Sequence, residues 1–172
     1  MSKILIAMFA GTLNENGERV LPAFYEYVVS QLKKKNDVFL FMHGMFGDID
    51  FGKPPENLIK QIEELNPDLC ILFNNSFYEI RDIVDCPILI YYVDSVIYTA
   101  NKSAIKRHPN AYFYIADNES KNILEKEYHV SSQRIKNIAY FSGVRAKKEV
   151  KENNIVFIGS KFVSSGPNYL TQ

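Results

Sequence analysis

Short apolar runs of five to seven residues, each separated from the next by a polar or helix-periodic stretch, constrain this 172-residue chain more than any other feature. Lys3-Ile4-Leu5-Ile6-Ala7-Met8-Phe9 opens the series, followed by Val38–Met42, Leu69–Phe73, Pro87–Val93, Ala111–Ala116 and Ile135–Tyr140. A run that is apolar at nearly every position belongs to a strand covered on both faces, because a half-exposed strand alternates instead.

The stretches between the runs read as helices or loops. Glycines at Gly11 and Gly17 bracket a polar loop after the first run. Val20, Phe24, Tyr27, Val28, Gln31 and Leu32 then fall at helical spacing, and Lys33-Lys34-Lys35-Asn36 supplies the cations and Asn of a helix end. A glycine-rich loop runs from His43 to Pro55, where Pro54-Pro55 opens a helix carrying Leu58, Ile59, Ile62 and Leu65 and ended by Asn66-Pro67. Phe77 to Val84 reads as a short helix, Ser95 to His108 as less regular, and Asp117 or Asn118 as the cap of a helix reaching about Tyr128. Strands alternating with helices require right-handed crossovers, so the expected fold is α/β, a doubly wound, mainly parallel, Rossmann-like sheet.

Composition narrows the function classes. A hydrophobic share of 47% supplies a core and excludes a disordered chain. Twenty Lys+Arg against twenty Asp+Glu leave no basic excess, which argues against nucleic acid as a partner. No apolar run approaches the roughly 18 residues that span a bilayer. Met1-Ser2-Lys3 leads straight into the first run with no cleavage pattern, so the expected setting is cytoplasmic. There Cys70 and Cys86, each within an apolar run, are expected as reduced core thiols. Lys33-Lys34-Lys35 and Arg145 to Lys148 are the local basic patches that a peripheral membrane contact would use, although solvated helix ends and linkers explain both more simply.

In an open parallel sheet, ligands gather beyond the carboxyl ends of the strands. Those ends offer Gly11-Thr12, His43-Gly44, Asn74-Asn75-Ser76, Asp94-Ser95 and Asp117-Asn118, residues that turns and caps also favour. The first loop, Ala10 to Gly17, lacks both the close-set glycines of a dinucleotide turn and the Lys-Ser/Thr of a phosphate loop, which leaves room for a flatter, uncharged ligand such as a sugar. His43 is placed to act as a general base near neutral pH, or simply to hydrogen-bond within its loop. Asp94 closes the aromatic strand Tyr91-Tyr92-Val93 with Tyr98 just beyond it. Its carboxylate could take a hydroxyl proton, with Tyr92 or Tyr98 stacking on a sugar face; alternatively the tyrosines are core and Asp94 caps a turn. No CxxC, HExxH or clustered His/Asp spacing supports a metal.

The order of elements resembles the N-terminal half of a GT-B-fold glycosyltransferase, of the bacterial spore-maturation and capsule or lipopolysaccharide group. The resemblance is carried by Asn66-Pro67-Asp68-Leu69-Cys70-Ile71-Leu72-Phe73, by Cys86-Pro87-Ile88-Leu89-Ile90-Tyr91-Tyr92-Val93-Asp94-Ser95, by Tyr112 to Glu119, and by Asn154-Ile155-Val156-Phe157-Ile158-Gly159-Ser160. It implies an acceptor-side domain over 1–144, a linker over 145–154 and the start of a second, truncated domain over 155–172. It implies further that Asp94 or His43 is the base, that Gly11, Thr12, Asn74, Asn75, Ser76, Ser95 and Tyr98 line the sugar or glycan acceptor, and that transfer needs no metal. The domain itself would bind no cofactor, the nucleotide-sugar donor belonging to the second domain, without which catalysis would not proceed.

The alternative is a flavodoxin-like or receiver-like binding module with no chemistry of its own. A receiver needs an acidic pair after the first strand and an Asp after the third, where this chain has Gly11-Thr12 and Asn74-Asn75. A flavodoxin needs a Ser/Thr-rich first loop, and only Thr12 is present.

Overall fold

The structure, a computed structural model, describes residues 1–9, 12–13, 16, 19–21, 23–43, 56–74, 78–99, 105 and 111–138. Within them lies a six-stranded, all-parallel sheet. Its strands are β1 (Lys3–Phe9), β4 (Asp37–His43), β5 (Leu69–Phe73), β6 (Ile88–Tyr91), β7 (Ala111–Ile115) and β8 (Ile135–Asn137). A separate two-stranded hairpin pairs β2 (Thr12–Leu13) with β3 (Arg19–Val20). The helices are α1 (Ala23–Leu32), α2 (Glu56–Leu65), α3 (Val96–Thr99) and α4 (Asn118–Lys126), with 3-10 turns at Tyr78–Asp82 and Ser132–Arg134.

The fully apolar runs form strands because both faces of the sheet are covered. On one face Leu5, Ala7, Cys70, Leu72, Ile88, Ile90, Phe113 and Ile115 pack beneath Ile62 of α2, Ile80, Val96 and Leu124 of α4. On the other, Ile4, Ile6, Met8, Ile71, Phe73 and Tyr91 pack beneath Val29 of α1. Each fully buried Leu, Ile or Phe contributes about 1.5–3 kcal/mol by leaving water. The doubly wound α/β sheet expected from the sequence is therefore what the chain forms.

The lateral order is β4-β1-β5-β6-β7-β8. Chain direction across the sheet reverses between β1 and β5, and such a switch opens a crevice at the carboxyl edge. The amino edge is tied shut: Lys3 donates its backbone N–H to Asp68 Oδ2 at 2.8 Å and its Nζ to the Leu65 carbonyl at 3.0 Å.

Three local expectations are corrected. The loop after β1 contains the β2–β3 hairpin, whose strands are too short for any periodicity to register, and Val20 belongs to β3 rather than to the helix. The inward stripe of α1 is Tyr25, Val28, Val29 and Leu32, so Tyr27, 40% exposed, and Gln31 lie outside it. The i, i+3, i+4, i+7 pattern is kept, rotated by one position. Tyr92 is core, 1% exposed and stacked on Phe113 with ring centroids 6.5 Å apart, and so is no platform for a sugar. The boundaries at 144/145 and 154/155, with Arg145 to Lys148 and the run from Ile155, lie outside the described residues.

Candidate functional site

Beyond the last residue of β5 the chain must turn out of the sheet, and Asn74 does this at φ 52. Asn tolerates that left-handed conformation better than other non-glycine residues because its short side chain bonds locally. The Asn74 N–H continues the ladder to the Tyr91 carbonyl at 2.9 Å. Its Oδ1 then accepts the backbone N–H groups of Val93, at 2.8 Å, and Asp94, at 3.2 Å. Its Nδ2 donates to Asp94 Oδ2 at 2.7 Å. One amide thus caps the end of β6 and fixes the Asp94 carboxylate, which is itself exposed. Among the described residues the second oxygen, Oδ1, carries no hydrogen bond.

Tyr25 of α1 completes this corner. Its ring meets Phe73 edge-on with centroids 4.6 Å apart, and Phe73 in turn leans on Tyr91 at 5.6 Å. Burial, and secondarily the neighbouring Asp94 carboxylate, push the Tyr25 phenol above its ordinary pKa of 10.0. A phenol and a carboxylate therefore share the carboxyl edge on the β5 side of the switch. Tyr25 is a candidate site residue that no strand end supplies, because it comes from a helix packed across the sheet.

A second polar cluster lies at the ends of β6 and β7. Asp117 caps α4, Oδ1 accepting the Ser120 N–H at 2.6 Å and Oδ2 the Ser120 hydroxyl at 2.7 Å. Ser120, fully buried, accepts the Val96 N–H at 3.1 Å and lies 3.4 Å from the Ser95 hydroxyl. Ser95 Oγ caps α3 through the Ile97 N–H at 3.4 Å. The network fixes where the chain leaves β6, immediately after Asp94. In the 3-10 turn Tyr78–Asp82, burial lowers the Arg81 guanidinium to a pKa of about 10, partly offset by Tyr92 and Asp82.

Asn74, Asp94 and Ser95 are thus brought together. His43 ends β4, paired across from Phe9, on the far side of β1. At one strand spacing each, its backbone is roughly 10 Å from β5 and 14 Å from β6. Thr12 stands in the hairpin opposite Val20, and Tyr98 in α3. Gly11, Asn75 and Ser76, together with the side chains of Thr12, His43 and Tyr98, lie outside the described residues. No group of three or more His, Cys, Asp or Glu among the described residues is placed to hold a metal ion. Within the same residues, no helix is long and apolar enough to cross a membrane. No protein-family model matches this chain, and no curated protein matches it either.

Proposed function

We propose that the carboxyl-edge crevice binds a polyhydroxylated ligand of the sugar class, and that the domain is the acceptor side of a cytoplasmic glycosyltransferase. The observation that carries this reading is the Asn74–Asp94 pair, an exposed carboxylate held through Oδ2 at 2.7 Å, whose other oxygen carries no hydrogen bond among the described residues. A hydroxyl donates to a carboxylate, and a base so oriented takes its proton as the hydroxyl oxygen attacks an anomeric carbon. Tyr25 places a phenol near this carboxylate. Asp94 is the base in this reading; the backbone of His43 ends β4, with two strands between it and β6. In this reading the nucleotide-sugar donor falls to a second domain, since the sequence of the loop after β1 has neither the close-set glycines of a dinucleotide turn nor the Lys-Ser/Thr of a phosphate loop.

A second reading, a binding module without chemistry, draws on the strand order. Numbered in chain order, the sheet runs 2-1-3-4-5-6, the arrangement of flavodoxin-like sheets that hold a flavin at the same switch.

Calorimetric titration of the chain against mono- and disaccharides, UDP-glucose and flavin mononucleotide separates the two. Saccharide binding that is lost in Asp94→Asn, with little binding of UDP-glucose, is the expected result. Tight UDP-glucose binding would sink the division of labour between domains, and tight flavin binding would replace the first reading by the second.

A further inference from the structure

The amino ends of β5 and β6, opposite the candidate site, bring Cys70 and Cys86 side by side. Their Sγ atoms are 3.5 Å apart, although sixteen positions separate them in sequence, because the strands pair in parallel and the Cys70 N–H bonds the Pro87 carbonyl at 3.0 Å. Cys70 is fully buried, whereas Cys86 is half-buried. Both are free thiols in the structure.

We propose that Cys70 and Cys86 form a reversible redox pair, oxidised by a hydroperoxide to a disulfide that joins β5 to the start of β6. The sulfurs must close by about 1.5 Å to reach the disulfide length of about 2.05 Å, a side-chain rotation rather than a change of register. The chemistry is asymmetric. The hydrogen bond between the two thiols holds Cys86 below its ordinary pKa, while that of Cys70 is pushed up first by the same bond and then by burial. Cys86 is therefore the sulfur that meets the oxidant.

Its thiolate attacks the terminal peroxide oxygen, the O–O bond breaks, and the departing oxygen leaves protonated as water or an alcohol. Cys86 is then a sulfenic acid. Cys70 Sγ attacks Cys86 Sγ, the S–O bond breaks, and hydroxide leaves as water with the Cys70 proton. The two sulfurs together lose two electrons and the peroxide gains two. A neighbouring thiol within van der Waals reach makes disulfide formation outrun further oxidation of Cys86.

Hydrogen peroxide treatment of the chain, followed by intact-mass measurement and non-reducing peptide mapping, tests this. The expected product has lost two hydrogens, yields a linked peptide containing Cys70 and Cys86, reverts with dithiothreitol, and melts several degrees higher than the reduced chain. Cys86→Ser, at the less buried position, should give neither linkage nor shift, while Cys70→Ala should trap Cys86 as sulfenic or sulfinic acid. Sulfinic acid at Cys86 of the unsubstituted chain with Cys70 still reduced, or no reaction at either thiol, would overturn the proposal. Sugar binding plays no part in these readouts.

Discussion

Asn74 reaches Asp94 across two strand ends, Nδ2 to Oδ2 at 2.7 Å, from a backbone held at φ 52. The same amide accepts two backbone N–H groups through Oδ1, so donor and acceptor halves of one side chain are both committed. Asp in its place would supply the acceptor and lose the donor, setting two carboxylates against each other. Glycine would supply the conformation and none of the bonds. The residue is specified by geometry and hydrogen bonding together.

Two substitutions at Asn74 separate these requirements. Asn74→Gly keeps the left-handed backbone and should cost about 2 kcal/mol through the lost hydrogen bonds. Asn74→Ala adds the penalty for a Cβ in that conformation and should be less stable than the glycine variant by about 1–2 kcal/mol. Urea unfolding of the pair measures both, and equal stabilities would show that the backbone at Asn74 is not constrained.

Tyr25 gives a pH signature. Its folded-state pKa stands above 10.0, so the native chain holds the phenolic proton longer than the unfolded chain. Stability is unaffected by this group below about pH 10 and falls as pH rises through the folded value. Tyr25→Phe should flatten part of that loss. Asp94→Asn, which removes the carboxylate and leaves the burial, should move the tyrosinate absorbance transition of Tyr25 partway back toward its ordinary value.

Ser120 is the fully buried polar centre of the β6–β7 corner. Ser120→Ala strands the Val96 N–H and one Asp117 oxygen, and should destabilise by about 1–3 kcal/mol. Asp117→Ala, losing the helix cap as well, should cost at least as much. Thermal unfolding ranks them, and a neutral Ser120→Ala would mean that solvent reaches the corner.

The thiol asymmetry is readable by alkylation. With Cys86 half-exposed and shifted down while Cys70 is buried and shifted up, iodoacetamide should modify Cys86 many-fold faster. Cys70→Ala removes the hydrogen bond and should slow Cys86 alkylation near neutral pH. Equal rates at the two thiols would contradict the assignment.

What the sequence disclosed followed from the physics it could express locally. Leu69–Phe73 is a strand at both levels because each of its residues is apolar and the sheet covers both faces. Glu56–Leu65 ends where Asn66, at φ 46, and Pro67 forbid continuation. Asn74, Asp94 and Ser95 were visible as polar residues at strand ends. The two-residue strands Thr12–Leu13 and Arg19–Val20 were not, since two residues carry no period. Tyr25 was hidden for another reason: its role comes from packing on Phe73, and Phe73 lies 48 positions away. That Cys70 and Cys86 touch depends likewise on strand order, which no local pattern encodes.

The first strand of the sheet in chain order is an interior strand, since β1 is flanked by β4 and β5. The nascent sheet thus starts from an apolar strand exposed along both edges, and Lys3 cannot close on Asp68 until 65 further residues have been made. At 5–20 residues per second that is roughly 3–13 s of ribosomal time. Through that interval an apolar, unpaired strand invites capture by other strands. The biosynthetic hazard of this sheet therefore lies in its first strand, and a chaperone that shields Ile4 to Met8 would act before that strand has a partner.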